Sequence, residues 1–395
     1  MHHGTVHATG PSLRVVIAFD SFKGCLDSRT AGEAARRGVL AAAPGARVDV
    51  VEVADGGEGT AAALLHACGG REVVAPSVDA LGRPISASYV VLDPPDRPTV
   101  VIEAARTIDL DRAGPIDSTT PLRASSYGLG RQLRQALDSG SRRILVTLGG
   151  TAVTDGGTGL LLALGARLRD RDGADIEGGG NPIWRFDTLA PGSLPRLDGV
   201  EVTVMVDVDN PLLGARGAAA VFAPQKGATP AQVAELEAHL THWSRALSEA
   251  AGRDVAVVPG AGAAGGCGAA LVAIGARLEP GFARLAAEIG LADLIAGADL
   301  VLTGEGSVDA QTAMGKGPAG VARLAREAGV AVVALGGRVA EGCAELDALF
   351  DGVFCIHAEP REPGLALDPG LSARGLTATA ASVTRLFEAA RGDSP

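Results

Sequence analysis

Six times along the chain a short apolar, β-rich run gives way to a glycine-rich polar stretch and then to a helical pattern. The runs read "LRVVIAFDSFKG", "VDVVEVADGGEGT", "RRILVTLGGTAVTDGG", "VEVTVMVDVDNPL", "ADLVLTGEGSVDAQT" and "VAVVALGGRV". The intervals predict helices over Ser28–Ala42, Thr60–Ala67, Gly130–Leu137, Ala231–Ala251 and Gly317–Ala328. Strands alternating with helices argue for parallel sheets covered on both faces, an α/β fold. In such sheets ligands sit beyond the carboxyl ends of the strands, where nearly all the glycine-rich stretches fall.

At 395 residues the chain exceeds one ordinary core, so two domains are expected. Between Pro76 and Pro115, "LGRPISASYVVLDPPDRPTVVIEAA" alternates like an antiparallel meander with prolines at its turns. Residues 178–198 are rich in Gly and Pro and read as surface loops. The expected organisation is an unstructured tail over 1–12, an outer α/β domain from 13–75 and 286–395, and an inserted α/β domain over 76–285.

Composition narrows the partners. Aromatics at 3% leave no stacking surface for single-stranded nucleic acid, and a net charge of −11 disfavours phosphate backbones and anionic membranes. The cysteines are scattered without metal-ligand spacing, and the tail "MHHGTVHATGPS" has no apolar core of a signal peptide. A cytoplasmic protein acting on small molecules, as monomer or homodimer, is the expectation.

Of 35 basic residues only three are lysines, Lys23, Lys226 and Lys316, each followed by glycine. A compact ammonium against flexible backbone suits phosphate oxygens. Acids crowd the same kind of loop. "VADGGEGT" carries Asp55, Gly56, Gly57 and Glu58; "TLGGTAVTDGGTG" carries Gly149, Gly150 and Asp155. Glycine pairs at a helix start favour an anion, and carboxylates among them make sense if Mg²⁺ accompanies it. One Asp-Gly-Gly is equally a plain turn; two at strand ends favour a ligand site. "MVDVDNPLLG" adds Asp207, Asp209 and Asn210, whose alternation would put both acids on one face of a continuing strand, unless the strand runs out into an Asx turn before Pro211. "LTGEGSVDAQTAMGKGP" adds Gly304, Glu305, Asp309, Gln311, Thr312 and Lys316. No G-x-x-x-x-G-K-[ST] is present, no dinucleotide fingerprint follows the first strand, and no G-x-S-x-G elbow appears. Phosphoryl transfer fits this inventory better than hydride transfer or hydrolysis.

The ordered segments "IAFDSFKGCL", "VADGGEGT", "LGGTAVTDGG", "DVDNPLLG", "PQKGAT", "GAGAAGGCG" and "LTGEGSVDAQTAMGKGP" resemble the signature segments of the type I glycerate kinase family. The resemblance implies ATP-dependent, Mg²⁺-assisted phosphorylation of D-glycerate, usually at the 2-hydroxyl. It also implies a Rossmann-like domain and a second α/β domain with the active-site cleft between them. Asp207, Asp209, Lys23 and Lys316 then become the catalytic expectation. Asp20, Ser21, Gly56, Gly57, Gly149, Gly150, Asn210, Lys226, Gly304, Gln311 and Thr312 would bind substrate or nucleotide. Asp55, Glu58, Asp155, Glu305 and Asp309 are the candidate Mg²⁺ acids. This chain departs from the family pattern at Ser307, where an arginine is usual, and in "IEAARTIDL"; Arg106 or Arg338 could supply the missing guanidinium. A kinase for a related hydroxy acid, or 3-phosphorylation, stays open on sequence.

Overall fold

The computed structural model describes residues 12–93, 98–313, 317–340 and 344–392. Apart from Ser12, whose Oγ donates to Gly45 O at 2.5 Å, the expected tail lies outside these residues, as does Lys316. The strands run β1 (Arg14–Phe19), β2 (Arg47–Glu52), β3 (Arg71–Val78), β4 (Pro84–Leu92), β5 (Thr99–Glu103), β6 (Arg143–Thr147), β7 (Leu168–Arg169), β8 (Thr188–Leu189), β9 (Glu201–Val206), β10 (Arg277–Pro280), β11 (Leu300–Val308), β12 (Ala331–Val339) and β13 (Gly352–Cys355). They fall into two compact units, residues 1–54 with 286–395, and residues 55–285.

The first unit holds a parallel sheet in the order β13-β12-β11-β1-β2. Its inner strand β1, "RVVIAF", is buried from Val15 onward, as befits a β-branched run covered on both faces. Val15, Ile17, Phe19, Leu300, Leu302 and Leu335 form the core with Val39 and Leu376 from the helices Ser28–Ala42 and Pro369–Gly392. Those helices approach so closely that a Cβ on Gly38 would lie 2.1 Å from Thr377 O. Asp27 starts the first helix by accepting from Thr30 N at 2.6 Å. The chain leaves β1 for β2 on one side, while β11 flanks it on the other. The order therefore reverses at β1, and the carboxyl ends of β1 and β11 make a topological switch point.

The second unit has a mixed sheet, β10-β9-β6-β5-β4-β3. Strands β5, β6, β9 and β10 are parallel, and β3, β4 and β5 form the antiparallel meander that the alternation predicts. The expected division put residues 55–75 in the first domain. Here β3 pairs with β4 along its whole length, and the helix Thr60–Cys68 packs on β4 and β5, so this segment goes with the second unit. Its core gathers Ile102, Ile144, Val146, Leu160, Leu240 and Trp243.

The observed helix Tyr127–Asp138 begins before the expected Gly130. Gly128 and Gly130 look like breakers in sequence, yet their bare Cα atoms admit the backbone oxygens of Val78 and Leu160, which a Cβ would meet at 2.1 and 2.4 Å. "GAGAAGGCG" likewise serves packing. It enters the helix Ala263–Ala273, and a Cβ on Gly265 would lie 2.2 Å from Val153 O.

Candidate active site

At the switch point of the first unit, Asp20–Lys23 follow β1 while β11 continues through Gly304 and Glu305. Asp20 N donates to Gly304 O at 3.0 Å, and Asp20 Oδ1 accepts from Ser21 N at 2.6 Å. A Cβ on Gly306 would lie 3.2 Å from Lys23 N, and one on Gly317 3.2 Å from Asp20 Oδ2. These glycines let the turn after β1 and the start of the helix Gly317–Glu327 close on β11. Thr312 Oγ1 then joins two acids, donating to Glu305 Oε1 at 2.7 Å and accepting from Asp309 N at 3.0 Å. Asp309 accepts from Gln311 N at 2.8 Å and from Ser307 Oγ at 3.3 Å. Ser21, Lys23 and Gln311 are exposed, while Asp20, Glu305 and Asp309 are half-buried. The structure thus brings together Asp20, Ser21, Lys23, Gly304, Glu305, Asp309, Gln311 and Thr312.

In the second unit the loop Asp55–Gly59 crosses the carboxyl ends of the parallel strands. Gly56, at φ 95°, sits where a Cβ would come 3.1 Å from Gly281 Cα and 3.3 Å from Met205. A Cβ on Gly149 would lie 2.6 Å from Gly57 Cα. Only glycine permits this crossing of backbones. Asp55 Oδ1 accepts from Gly57 N at 3.2 Å, Glu58 is exposed, and Gly150, at φ 70°, accepts from Leu110 N at 3.1 Å. Just after β9, Asp207 and Asp209 are exposed.

The alternation expected of Asp207 and Asp209 does not extend to them, because β9 ends at Val206 and Pro211 soon follows. Arg216 Nη2 instead holds both oxygens of Asp209, at 2.8 and 2.9 Å, and Asn210 Nδ2 donates to Arg216 O at 2.7 Å. The loop is closed by its own polar groups.

Two expected site residues stand apart. Asp155, taken as a Mg²⁺ candidate, is fully buried and accepts from Ser126 N, Ser126 Oγ, Gly157 N and Gly159 N at 2.7 to 3.2 Å. Its oxygens organise the loop and are not presented to a ligand. Burial raises its carboxyl above the ordinary range, against those donors. Lys226, taken as a phosphate ligand, is also buried and donates through Nζ to Val153 O at 2.5 Å. Burial pushes its ammonium down to about 8, with Cys267 and Asp155 pulling the other way. The 3₁₀ turn Pro224–Lys226 aims it inward, a direction that three identical Lys-Gly pairs could not reveal.

Sequence reasoning missed Glu103 as a site residue. It ends the apolar strand β5, is buried, and accepts from Gly59 N at 2.5 Å and Arg106 Nε at 3.2 Å. Burial raises its carboxyl, with the Arg106 guanidinium opposing. Arg106 Nη1 also reaches Glu72 and Ser88. A cavity of about 340 Å³ opens here, lined by Glu58, Gly59, Ser86, Ser88, Arg106 and Arg112 among others. A lone carboxylate closing the apolar run Val100–Ile102 was the available signal.

The whole arrangement has close relatives. Residues 15–388 match the model of the glycerate kinase family. The chain is 40% identical over 330 residues to a glycerate kinase of Halalkalibacterium halodurans, covering 83% of this chain and 86% of that one. It is 39% identical over 331 residues to a glycerate 2-kinase of Escherichia coli K12, with the same coverages. A crystal structure from Salmonella typhimurium LT2, described as a glycerate kinase 2, superposes with a TM-score of 0.83 at 35% identity, over 96% of this chain and 100% of the other. The chain belongs to the glycerate kinase family.

Proposed function

We propose that this protein transfers the γ-phosphoryl group of ATP to the 2-hydroxyl of D-glycerate, giving 2-phosphoglycerate and ADP. The observation that carries the reading is the 39% identity, over most of both chains, to a glycerate 2-kinase. The glycine-rich loops at strand ends, holding acids and an exposed lysine but no nucleophile elbow, agree with phosphoryl transfer by positioning and charge.

The proton of the glycerate hydroxyl passes to a carboxylate, and its oxygen attacks the γ-phosphorus as the bond to the β-bridging oxygen breaks. Asp207, exposed just after β9, is the carboxylate we assign to take the proton, and Asp209, held through both oxygens by Arg216, fixes the loop. In the first unit Lys23, with Lys316, offsets negative charge on phosphate and Ser21 helps to position it; in the second unit the backbone around Gly56, Gly57, Gly149 and Gly150 positions substrate.

For Mg²⁺, the donor set of the first unit fits: Glu305, Asp309 and the Thr312 hydroxyl are hard oxygens drawn together by hydrogen bonds. Among the described residues no group of three His, Cys, Asp or Glu could cage a metal, which suits an ion completed by nucleotide oxygens. When bound, the ion would neutralise charge on those oxygens. Asp55 and Glu58 are the alternative holders, whereas Asp155 is already saturated.

No helix among the described residues is long and apolar enough to cross a membrane, in keeping with the cytoplasmic setting we propose for soluble substrates. The test is incubation of purified protein with D-glycerate, ATP and Mg²⁺, followed by phosphorus NMR. A 2-phosphoglycerate resonance is expected. A 3-phosphoglycerate resonance would move the reacting hydroxyl, and ATP left intact would remove glycerate as the substrate.

A further inference from the structure

The motif running through β11 carries Ser307 at its end, and the parallel register pairs Ser307 directly with Arg338 on β12. Partners in a parallel ladder project from the same face of the sheet. Glu305, two residues before Ser307, shares that face, and its own partner across the ladder is Gly336, which has no side chain. The room beside Gly336 is filled by Val308 and the Arg338 carbonyl, so what the register supplies is the adjacency of Arg338 to Ser307, whose hydroxyl donates to Asp309 of the Glu305–Thr312–Asp309 cluster.

Those acids are held by other groups. Thr312 Oγ1 donates to Glu305, and Ser307 Oγ and Gln311 N donate to Asp309. The Arg338 side chain is exposed and makes no ion pair or hydrogen bond among the described residues. Elsewhere the arginines near carboxylates are engaged, Arg216 with Asp209 and Arg106 with Glu103 and Glu72. An uncommitted guanidinium at a switch point, one strand from a half-buried acid cluster, is placed for a ligand rather than for the fold. Its planar fork matches an oxyanion through two parallel hydrogen bonds.

We propose that Arg338 binds an oxyanion of a bound substrate, and that it does from β12 what an arginine at position 307 would do from β11. Exchanging the two side chains across one ladder rung moves the guanidinium by about 5 Å, within reach of a flexible four-atom stem. The oxyanion is either the carboxylate of the acceptor or a phosphate of the nucleotide. The proposal rests on the glycerate kinase reading above and names a specificity-determining contact of that site.

The experiment compares wild type, Arg338→Ala and the double variant Ser307→Arg/Arg338→Ser. Steady-state kinetics would be joined to calorimetric titration with D-glycerate and, separately, with ADP. Losing a charge-assisted contact raises one KM and its matching Kd by about 10- to 100-fold in Arg338→Ala. The other substrate's constants and kcat stay within about twofold, and the exposed site leaves the melting temperature unchanged. A shift confined to glycerate identifies the carboxylate; one confined to nucleotide identifies a phosphate. The double variant recovers most of the loss. Unchanged binding of both ligands in Arg338→Ala, or a double variant no better than the single one, overturns the proposal. Absence of phosphoglycerate with wild type would instead count against the glycerate reading, and the titrations would still decide the role of Arg338.

Discussion

Asp55 and Asp155 each begin an Asp-Gly-Gly loop that leads into a helix, at Thr60 and Thr158 respectively. The local geometry is the same: each carboxylate accepts from the glycine N–H two residues on, at 3.2 and 3.0 Å. What covers the loops differs. The Asp55 loop packs against the backbones of Gly281 and Gly149, yet Asp55 stays half-buried and Glu58 exposed. Over Asp155 lie Ser126, which donates twice, the Gly265 backbone, whose oxygen accepts from Gly156 N at 2.9 Å, and Trp243, whose Nε1 donates to Gly156 O at 2.8 Å. One tripeptide thus gives an open loop in one place and a buried polar knot in the other. The tertiary cover, and not the motif, decides which acid is available to a ligand.

The comparison breaks most easily at Asp155. Replacing it by alanine strands four buried donors at once, so Asp155→Ala is expected to destabilise the second unit by about 4 kcal/mol. Urea denaturation followed by circular dichroism reads this directly. A loss below about 1 kcal/mol would mean that water reaches the loop and that the two Asp-Gly-Gly sites are alike.

Lys226 sharpens the same contrast through pH. Its ammonium is pushed down to about 8 by burial, while in the unfolded chain it titrates near its ordinary value of 10.5. Between those values the unfolded state binds more protons, so stability from this group rises with pH across that window. Below pH 8 both states are protonated and the full penalty remains. The gain of wild type relative to Lys226→Met, from pH 8 upward past 10, is expected to be on the order of 3 kcal/mol. A flat difference across that range would show that Lys226 is solvated and open to a ligand after all.

Asp207 belongs to the exposed side of the comparison. Asp207→Asn is expected to lower kcat about 100-fold, or about 2.7 kcal/mol of barrier, with the melting temperature within a degree of wild type. Asp209→Asn should cost less turnover, because its carboxylate is tied to Arg216. The reverse order of the two variants would exchange their roles.

Much of the fold was legible because the period of the apolar residues changes between strand and helix, and because each change falls beside a glycine-rich loop. The helix Ser28–Ala42 came out to the residue, and the structure adds Asp27 as its cap. What sequence could not supply were contacts made across long separations. Ser126 covers a loop 29 residues away, and Lys226 Nζ finds a carbonyl 73 residues upstream. Nothing within either motif encodes those partners, so Asp155 and Lys226 read like Asp55 and Lys23. Glycine hid the start of the helix Tyr127–Asp138 for a related reason: at 128 and 130 it admits a neighbouring backbone, a use that its sequence context shares with turns.

The smallest stability effect is expected at Asp55, and it is the one that isolates function from fold. Asp55→Asn keeps an oxygen that can accept from Gly57 N and leaves no buried donor stranded. The change in unfolding free energy should stay below about 0.5 kcal/mol, as for surface substitutions. If the open loop serves the substrates, removing its charge should nevertheless lower kcat/KM about 10-fold, roughly 1.4 kcal/mol of transition-state stabilisation. Measured beside Asp155→Ala, the pair forms a crossed test, one variant losing fold and the other losing rate. Equal activity in Asp55→Asn and wild type would leave the open loop without a catalytic part and shift the acid's work to Glu58 or to Glu305 and Asp309. A stability loss approaching that of Asp155→Ala would show instead that the loop is as firmly built as its buried twin.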